Sequence, residues 1–531
     1  MISSKKTRRV TVLKRQEIEL SEKATDNDYS FQELEPGLVY SRIYMNDITG
    51  EVQYSLIEPV VDSQEMQVIS MLKDYIIGLA AFNEKPARDR EKEFHEYLET
   101  AINDLAIDAD KNSMTVIEYY VHRDIVGFGR IDGLMKDPEI EDISCDSSTV
   151  PVFIYHRDHG YIQTNVKFSN DVELNMFVKK VVQDSGKHIS ISIPIIDATL
   201  TDGSRLQASY GEYITNNGPA FTIRKFRANP LNPVNLVSMN SLSAKGFAYL
   251  WVLTEYGSNM MIGGGTGSGK TTLLNSILLF IPPQMKIVSI EDTREINIPH
   301  ENWIATVTRS GFGKLNKETM KRAGEIDMFD LLAASLRQRP NYLVIGEVRG
   351  KEAFTVFQAM SAGRYGFGTF HAEDPKTLIY RLESEPINIP RTLITSLDVI
   401  VMQSALIYKG KLVRRATSIS EITGLDPNTD EIIINTAFRW NQQNDSFTYS
   451  GYSYALNRIA ERTGKSERAL EEEVNLREKI LLKMIEKKFI TYKDVTRLIS
   501  MFYKKRDSLL DLLGLKESGE EEESPGLEFD F

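Results

Sequence analysis

The stretch GGGTGSGKTT at residues 263–272 leaves a chain few folds to choose from. Gly264 to Thr271 satisfy the spacing G-x-x-x-x-G-K-[ST], with the apolar run NMMIGG before them and the helix-forming TLLNSILLF after them. That order demands a buried strand, a tight glycine loop and the start of a helix, the unit from which parallel α/β sheets are built. The glycines let backbone amides turn inward onto phosphate oxygens. Lys270 supplies a point charge for the β- and γ-phosphates, and the Thr271 hydroxyl suits Mg²⁺. Gly264, Gly265, Thr266, Gly267, Ser268, Gly269, Lys270, Thr271 and Thr272 are therefore the candidate phosphate-binding set, with ATP and Mg²⁺ as expected cofactors.

Beyond the loop, short apolar runs alternate with helical segments: KIVSIED, YLVIGEV and GFGTFHA read as buried parallel strands. The fold class expected is α/β, a RecA-like doubly wound sheet over 237–425. Hydrolysis needs more than a cradle: a group to orient or deprotonate water, an acid near the metal, and positive charge at the γ-phosphate. Such groups belong at the carboxyl ends of parallel strands. Glu291 closes the first run and is the candidate base, with Asp292 or Glu295 next in line. Glu347 closes the second and is, with Thr271, a candidate metal contact. His371 closes the third and is a candidate γ-phosphate sensor.

A chain of 531 residues is long for one core. Residues 1–30, with six Lys or Arg among the first fifteen, read as a basic mobile tail suited to an acidic partner or anionic lipid. Residues 31–115 and 116–228 each read as a small mixed α/β domain, the first with alternating LVYSRIYM and helical EKEFHEYLETAINDL. ANPLNPVNL places a hinge at 229–236, because each proline biases its predecessor away from helix. Residues 426–515 read as a mainly helical extension, and 516–531 as an acidic disordered tail.

No apolar run is long enough to span a bilayer, since MQVISMLKDYIIGLAAF carries Lys73 and Asp74 at its centre. The basic start lacks the apolar core of a secretory signal, so the chain is expected in the cytoplasm, with membrane contact at the inner face only. A net charge of −12 speaks against general nucleic-acid binding. The single cysteine, Cys145, excludes an internal disulfide and reads as a small buried hydrophobe.

In this order after a P-loop, LLAASLRQRPNYLVIGEVRGKEAFTVFQAMSAG followed by TFHAED resembles the secretion-superfamily ATPases that power type II secretion, type IV pili and archaeal surface filaments. The resemblance covers about 130–425. It places Walker A at Gly264–Thr271, the Asp box at Ile290–Arg294, Walker B at Leu343–Glu347 and the His box at Thr369–Ala372. It implies that Arg205 in DGSR and Arg224 in TIRKF face the nucleotide from the N-terminal side, and that Arg337 and Arg339 in LRQRP lie on the nucleotide domain, with Arg224 in a catalytic role and Arg205 and Arg339 as phosphate contacts. It also implies a homo-hexamer that moves a polytopic membrane platform protein. Bacterial members commonly carry a four-cysteine zinc insertion that one cysteine cannot build, which points to the archaeal branch. The family's usual Gly-His before the His-box strand is replaced here by Arg364. The reading is a hexameric, Mg²⁺-dependent ATPase at the base of an archaellum, a type IV-like pilus or a type II-like secretion system. Its rivals are a nucleic-acid translocase on the same core and a nucleotide-gated scaffold with little turnover.

Overall fold

The computed structural model describes residues 10–11, 15, 17–25, 28–79, 87–212, 214–226, 230–309, 311 and 321–516. Most of the basic start, the first part of the expected hinge (229) and the acidic tail from 517 lie outside the described residues. The chain forms two compact units, Met1–Arg227 and Ala228–Phe531.

The first unit is built on a nine-stranded sheet in the spatial order Asp28–Glu35, Val39–Met45, Val52–Ile57, Gly160–Thr164, Phe153–His156, Ile140–Cys145, Ala220–Arg224, Arg205–Ser209, Ile195–Thr199. Alternation in Val39–Met45 buries Val39, Ser41 and Ile43, as a strand with one covered face must. Every pairing is antiparallel except the one between Val52–Ile57 and Gly160–Thr164, where Gln53 and Tyr54 meet Gln163 and Thr164. One sheet thus runs through both 31–115 and 116–228, which the sequence reading treated as separate. Helix Asp171–Asp184 lays Leu174, Val178, Val181 and Val182 on the sheet core. Helices Ser63–Ile77, Ala87–Asp104 and Lys111–Ile125 pack a second core among themselves. Lys73 in the first of these pairs with Asp124 at 2.6 Å. Cys145 is buried in the sheet core, and burial pushes its thiol up to about 12.

Strands of the second unit, numbered within it, are β1 (Met260–Gly263), β2 (Ile287–Glu291), β3 (Trp303–Val307), β4 (Tyr342–Ile345), β5 (Tyr365–Phe370), β6 (Val399–Tyr408), β7 (Lys411–Leu425), β8 (Ile432–Asn441) and β9 (Ser446–Tyr449). Their order is β3-β2-β4-β5-β1-β6-β7-β8-β9. The first six are parallel and the last three are antiparallel additions. Strands β1, β2 and β4 are buried along their whole length, the pattern of a sheet covered on both faces. The sequence reading ended this sheet at 425. In the structure β8 and β9 continue it, because IIINTAFRW carries the β-branched and aromatic residues that suit a half-covered edge.

Residues 233–236 of the expected hinge open a short helix, Pro233–Ser238, capped by Asn232 and started by a proline at its first turn. Helix Ala244–Glu255 is buried nearly all round, including Trp251 and Tyr249. One face meets the sheet. The other meets the long C-terminal helix Glu467–Glu486, which inserts Arg477 between Glu255 and Glu473.

Candidate functional site

β1 ends at Gly263 and the chain turns through Gly264–Gly269 into helix Lys270–Leu278. Gly269 caps that helix at φ 90°, a left-handed conformation that L side chains resist. A Cβ on Gly264 would stand 2.2 Å from the Gln403 carbonyl of β6, so backbone meets backbone there. Around Gly265 and Gly267 the same added carbon would meet nothing within 4 Å. The loop is therefore packed hard against the sheet at its root and open at its rim, as a phosphate cradle must be. Ser268 holds the rim by donating to the Gly265 carbonyl at 2.8 Å, and Arg414 braces it from β7 through the Gly267 carbonyl at 3.0 Å. Lys270 bends back so that its ammonium donates to the Gly265 carbonyl at 2.7 Å, and burial lowers its pKa. Thr271 and Thr272 stand on the first turn, partly exposed.

The parallel register brings the other strand ends to this edge, Gly263 beside Phe370 and Ile290 beside Ile345. Glu347, just past β4, accepts from His371 at 3.0 Å and from Arg349. Arg349 also reaches Asp292, at 3.7 Å. Burial and the nearby Lys270 charge lower the His371 pKa against the pull of Glu347, so a neutral imidazole is favoured at neutral pH. Lys270 feels both Glu347 and Glu295. Lys270, Glu347, His371, Arg349, Asp292 and Glu295 thus share one field at one edge.

Glu291 is placed differently from the expectation for a base. Its side chain is buried, and its Oε1 accepts from the backbone N–H groups of Glu295 and Ile296, each at 2.8 Å. Its Oε2 is enclosed without a hydrogen-bond partner. Gly346 allows this, since a Cβ there would press to 3.0 Å on the Glu291 Cγ. Burial raises the Glu291 pKa to about 7 against those two donated bonds. Glu295, four residues on, is exposed. The sequence offered both carboxylates; only the turn between them decides which faces outward.

The raised pKa has a sign that can be checked. Folded Glu291 binds its proton more tightly than the unfolded chain between about pH 4.5 and 7, so its contribution to stability falls as pH rises through that window and levels off above it. Glu291→Gln removes the titration and keeps an oxygen for the two N–H groups. The stability of the variant relative to the parent should therefore rise between pH 5 and pH 8, by up to about 3 kcal/mol, read from denaturant unfolding at each pH. A constant gap across that range would rule out the assigned titration.

Three arginines fall elsewhere. Arg337 and Arg339 precede β4, and Arg364 precedes β5, donating to the Leu336 carbonyl at 3.4 Å. They therefore lie at the amino edge of the sheet, with the length of a strand, about 20 Å, between Arg364 and His371. Within this chain Arg339 and Arg364 thus stand at the opposite edge of the sheet from Lys270 and His371. In the first unit Arg205 and Arg224 stand directly opposite each other on adjacent antiparallel strands, both exposed, with Arg224 3.2 Å from Asp142.

Among the described residues no group of three or more His, Cys, Asp or Glu is arranged to hold a metal. The donors present, one threonine hydroxyl and one nearby carboxylate, suit Mg²⁺, which takes few protein ligands and fills its shell with phosphate and water. The open cradle, the lysine inside it and the helix start behind it suit a nucleotide triphosphate.

An uncharacterized protein of Methanocaldococcus jannaschii is 34% identical over 482 residues, spanning 86% of each chain. A second from the same archaeon is 50% identical over 256 residues, 48% of this chain and 92% of its own. Among solved structures, the ATPase DotB of Yersinia pseudotuberculosis covers 72% of this chain and 93% of its own at 16% identity and a TM-score of 0.41. The family model described as type II/IV secretion system protein matches residues 131–465, a span that holds the cradle, the carboxylates and His371. The chain belongs to the type II/IV secretion system protein family, in company with archaeal relatives.

Proposed function

We propose that the chain is an ATP-hydrolysing hexameric motor at the cytoplasmic base of an archaeal archaellum, type IV-like pilus or type II-like secretion system. The convergence of Lys270, Glu347, His371, Arg349 and Glu295 at one sheet edge carries the reading. When bound, Mg-ATP supplies the electrophilic γ-phosphoryl group and a cation that offsets its charge.

The chain's own residues divide the remaining work. Amides of Gly265–Lys270 and the Lys270 ammonium hold the phosphates, the ammonium leaving the Gly265 carbonyl for them. The Thr271 hydroxyl would hold the metal, with Glu347 as the candidate carboxylate contact. Glu295, exposed and within the field of Lys270, orients and deprotonates water, and Glu291 holds the backbone that carries it. His371, fixed by its Nε2–H bond to Glu347, is the γ-phosphate sensor. Arg224 and Arg205 are assigned to the phosphates on the family resemblance, and Arg339, on the far edge of its own sheet, reaches phosphate only across a subunit boundary. The output is motion of a polytopic platform protein in the membrane.

Phosphate release by the purified protein tests the core of this reading. Turnover should stop when Mg²⁺ is removed and survive a zinc-selective chelator. ATP binding without turnover would leave the scaffold rival standing, and stimulation by DNA would favour the translocase.

The paired arginines give a second test. Like charges directly opposite on a sheet repel unless an anion sits between them. Arg224 is exposed and paired with Asp142 as well as facing Arg205, so Arg224→Ala should change the melting temperature little while lowering turnover by about ten-fold or more. Normal turnover in Arg224→Ala would remove this residue from the reaction.

A further inference from the structure

The turn that carries Glu295 is held from more than one side. Glu291 takes the N–H groups of Glu295 and Ile296. On the other side, Asn275 of the cradle helix donates from Nδ2 to the Glu295 carbonyl at 3.0 Å, and its Oδ1 accepts from the Asn297 N–H at 2.9 Å. Asn275 is only 6% exposed, so its amide is spent on this turn. Ile296 and Ile298 point into the core and fix the strip between them. The Asn297 carbonyl then accepts from the hydroxyl of Tyr492, at 2.9 Å.

Tyr492 lies almost two hundred residues away in the chain, at the start of the C-terminal helix Tyr492–Lys504. Burial raises its phenol pKa, so it remains a donor at any working pH. Two residues before it, the Ile490 carbonyl accepts from Asn232 at 2.9 Å and from Asn235 at 3.0 Å. Those asparagines cap and open helix Pro233–Ser238, the first helix after the chain enters the second unit. The C-terminal turn 490–492 is therefore bonded on one side to the entry helix and on the other to the strip that carries Glu295.

We propose that Tyr492 and Asn275 are positioning residues for hydrolysis, holding the Glu295 backbone so that the C-terminal extension sets the aim of that carboxylate. This rests on the reading of Glu295 as the water-facing group. None of these bonds is made by the phosphate-binding residues Gly264–Thr272, so nucleotide affinity is expected to be unchanged when they are removed. A carboxylate that must meet water at hydrogen-bond distance is sensitive to small displacements of its backbone, whereas phosphate binding by the loop amides is not.

The test uses the full chain with Tyr492→Phe, which removes one hydroxyl and keeps the ring, and Asn275→Ala as a second variant. Each should lower kcat by roughly ten-fold with KM and ATP-analogue affinity unchanged. Each is then combined with Glu295→Gln. If the two residues act through Glu295, they add nothing to the loss caused by Glu295→Gln alone. Wild-type kcat in both variants, a rise in KM with kcat preserved, or an equal further loss in the Glu295→Gln background would each overturn the proposal. The reading it rests on fails separately, if Glu295→Gln by itself retains turnover.

Discussion

Glu295→Gln is expected to bind ATP normally and to hydrolyse it roughly 10²- to 10⁴-fold more slowly, the usual contribution of a positioned base. Glu291→Gln should cost less than about five-fold. The contrast follows from two oxygens. Glu291 Oε1 already accepts the N–H groups of Glu295 and Ile296, and a glutamine carbonyl can accept both. Its Oε2 is sealed from solvent without a partner, so the lost basicity has no water to act on. Glu295 is exposed and lies in the field of Lys270. Phosphate release and fluorescent-nucleotide binding on the two variants decide between them. A severe loss in Glu291→Gln with full activity in Glu295→Gln would reverse the roles.

Lys270→Ala should abolish turnover, by about 10³-fold or more, and weaken ATP binding by about 10²-fold, since charge-assisted contacts to phosphate have no substitute in the cradle. The fold itself should not suffer. Lys270 is 9% exposed and its ammonium donates to the Gly265 carbonyl, so removing it relieves a desolvated charge. Equal or higher melting temperature with no turnover is the expected pair of results. Lys270→Ala that hydrolyses at a tenth of the parental rate would show that the loop amides suffice.

The parts legible in the sequence were those with a local signature. The glycine spacing named the cradle, and uninterrupted apolar runs named β1, β2 and β4. What escaped depended on long-range pairing or on the direction of single bonds. Alternation in Val52–Ile57 says that one face is buried, not that Gln53 will pair in parallel with Gln163 across the expected domain boundary. The spacing of Glu291 and Glu295 puts both near the strand end, but the N–H directions of the intervening turn choose the outward one. Arg339 and Arg364 sit close in sequence to Glu347 and His371. A strand carries the chain from one edge of the sheet to the other, so nearness in sequence becomes distance in space.

Helix Ala244–Glu255 has a consequence for how the chain is made. Its sheet-facing side finds partners as soon as the parallel strands assemble, where the Tyr342 hydroxyl of β4 donates to the Thr254 carbonyl. The side that meets Glu467–Glu486 must wait until about two hundred further residues are synthesised, roughly 10 to 40 s at ordinary elongation rates. During that interval a nascent chain with a complete phosphate cradle carries an uncovered apolar stripe. The step most exposed to aggregation during synthesis is therefore the late docking of the C-terminal helices, after the nucleotide fold has already formed.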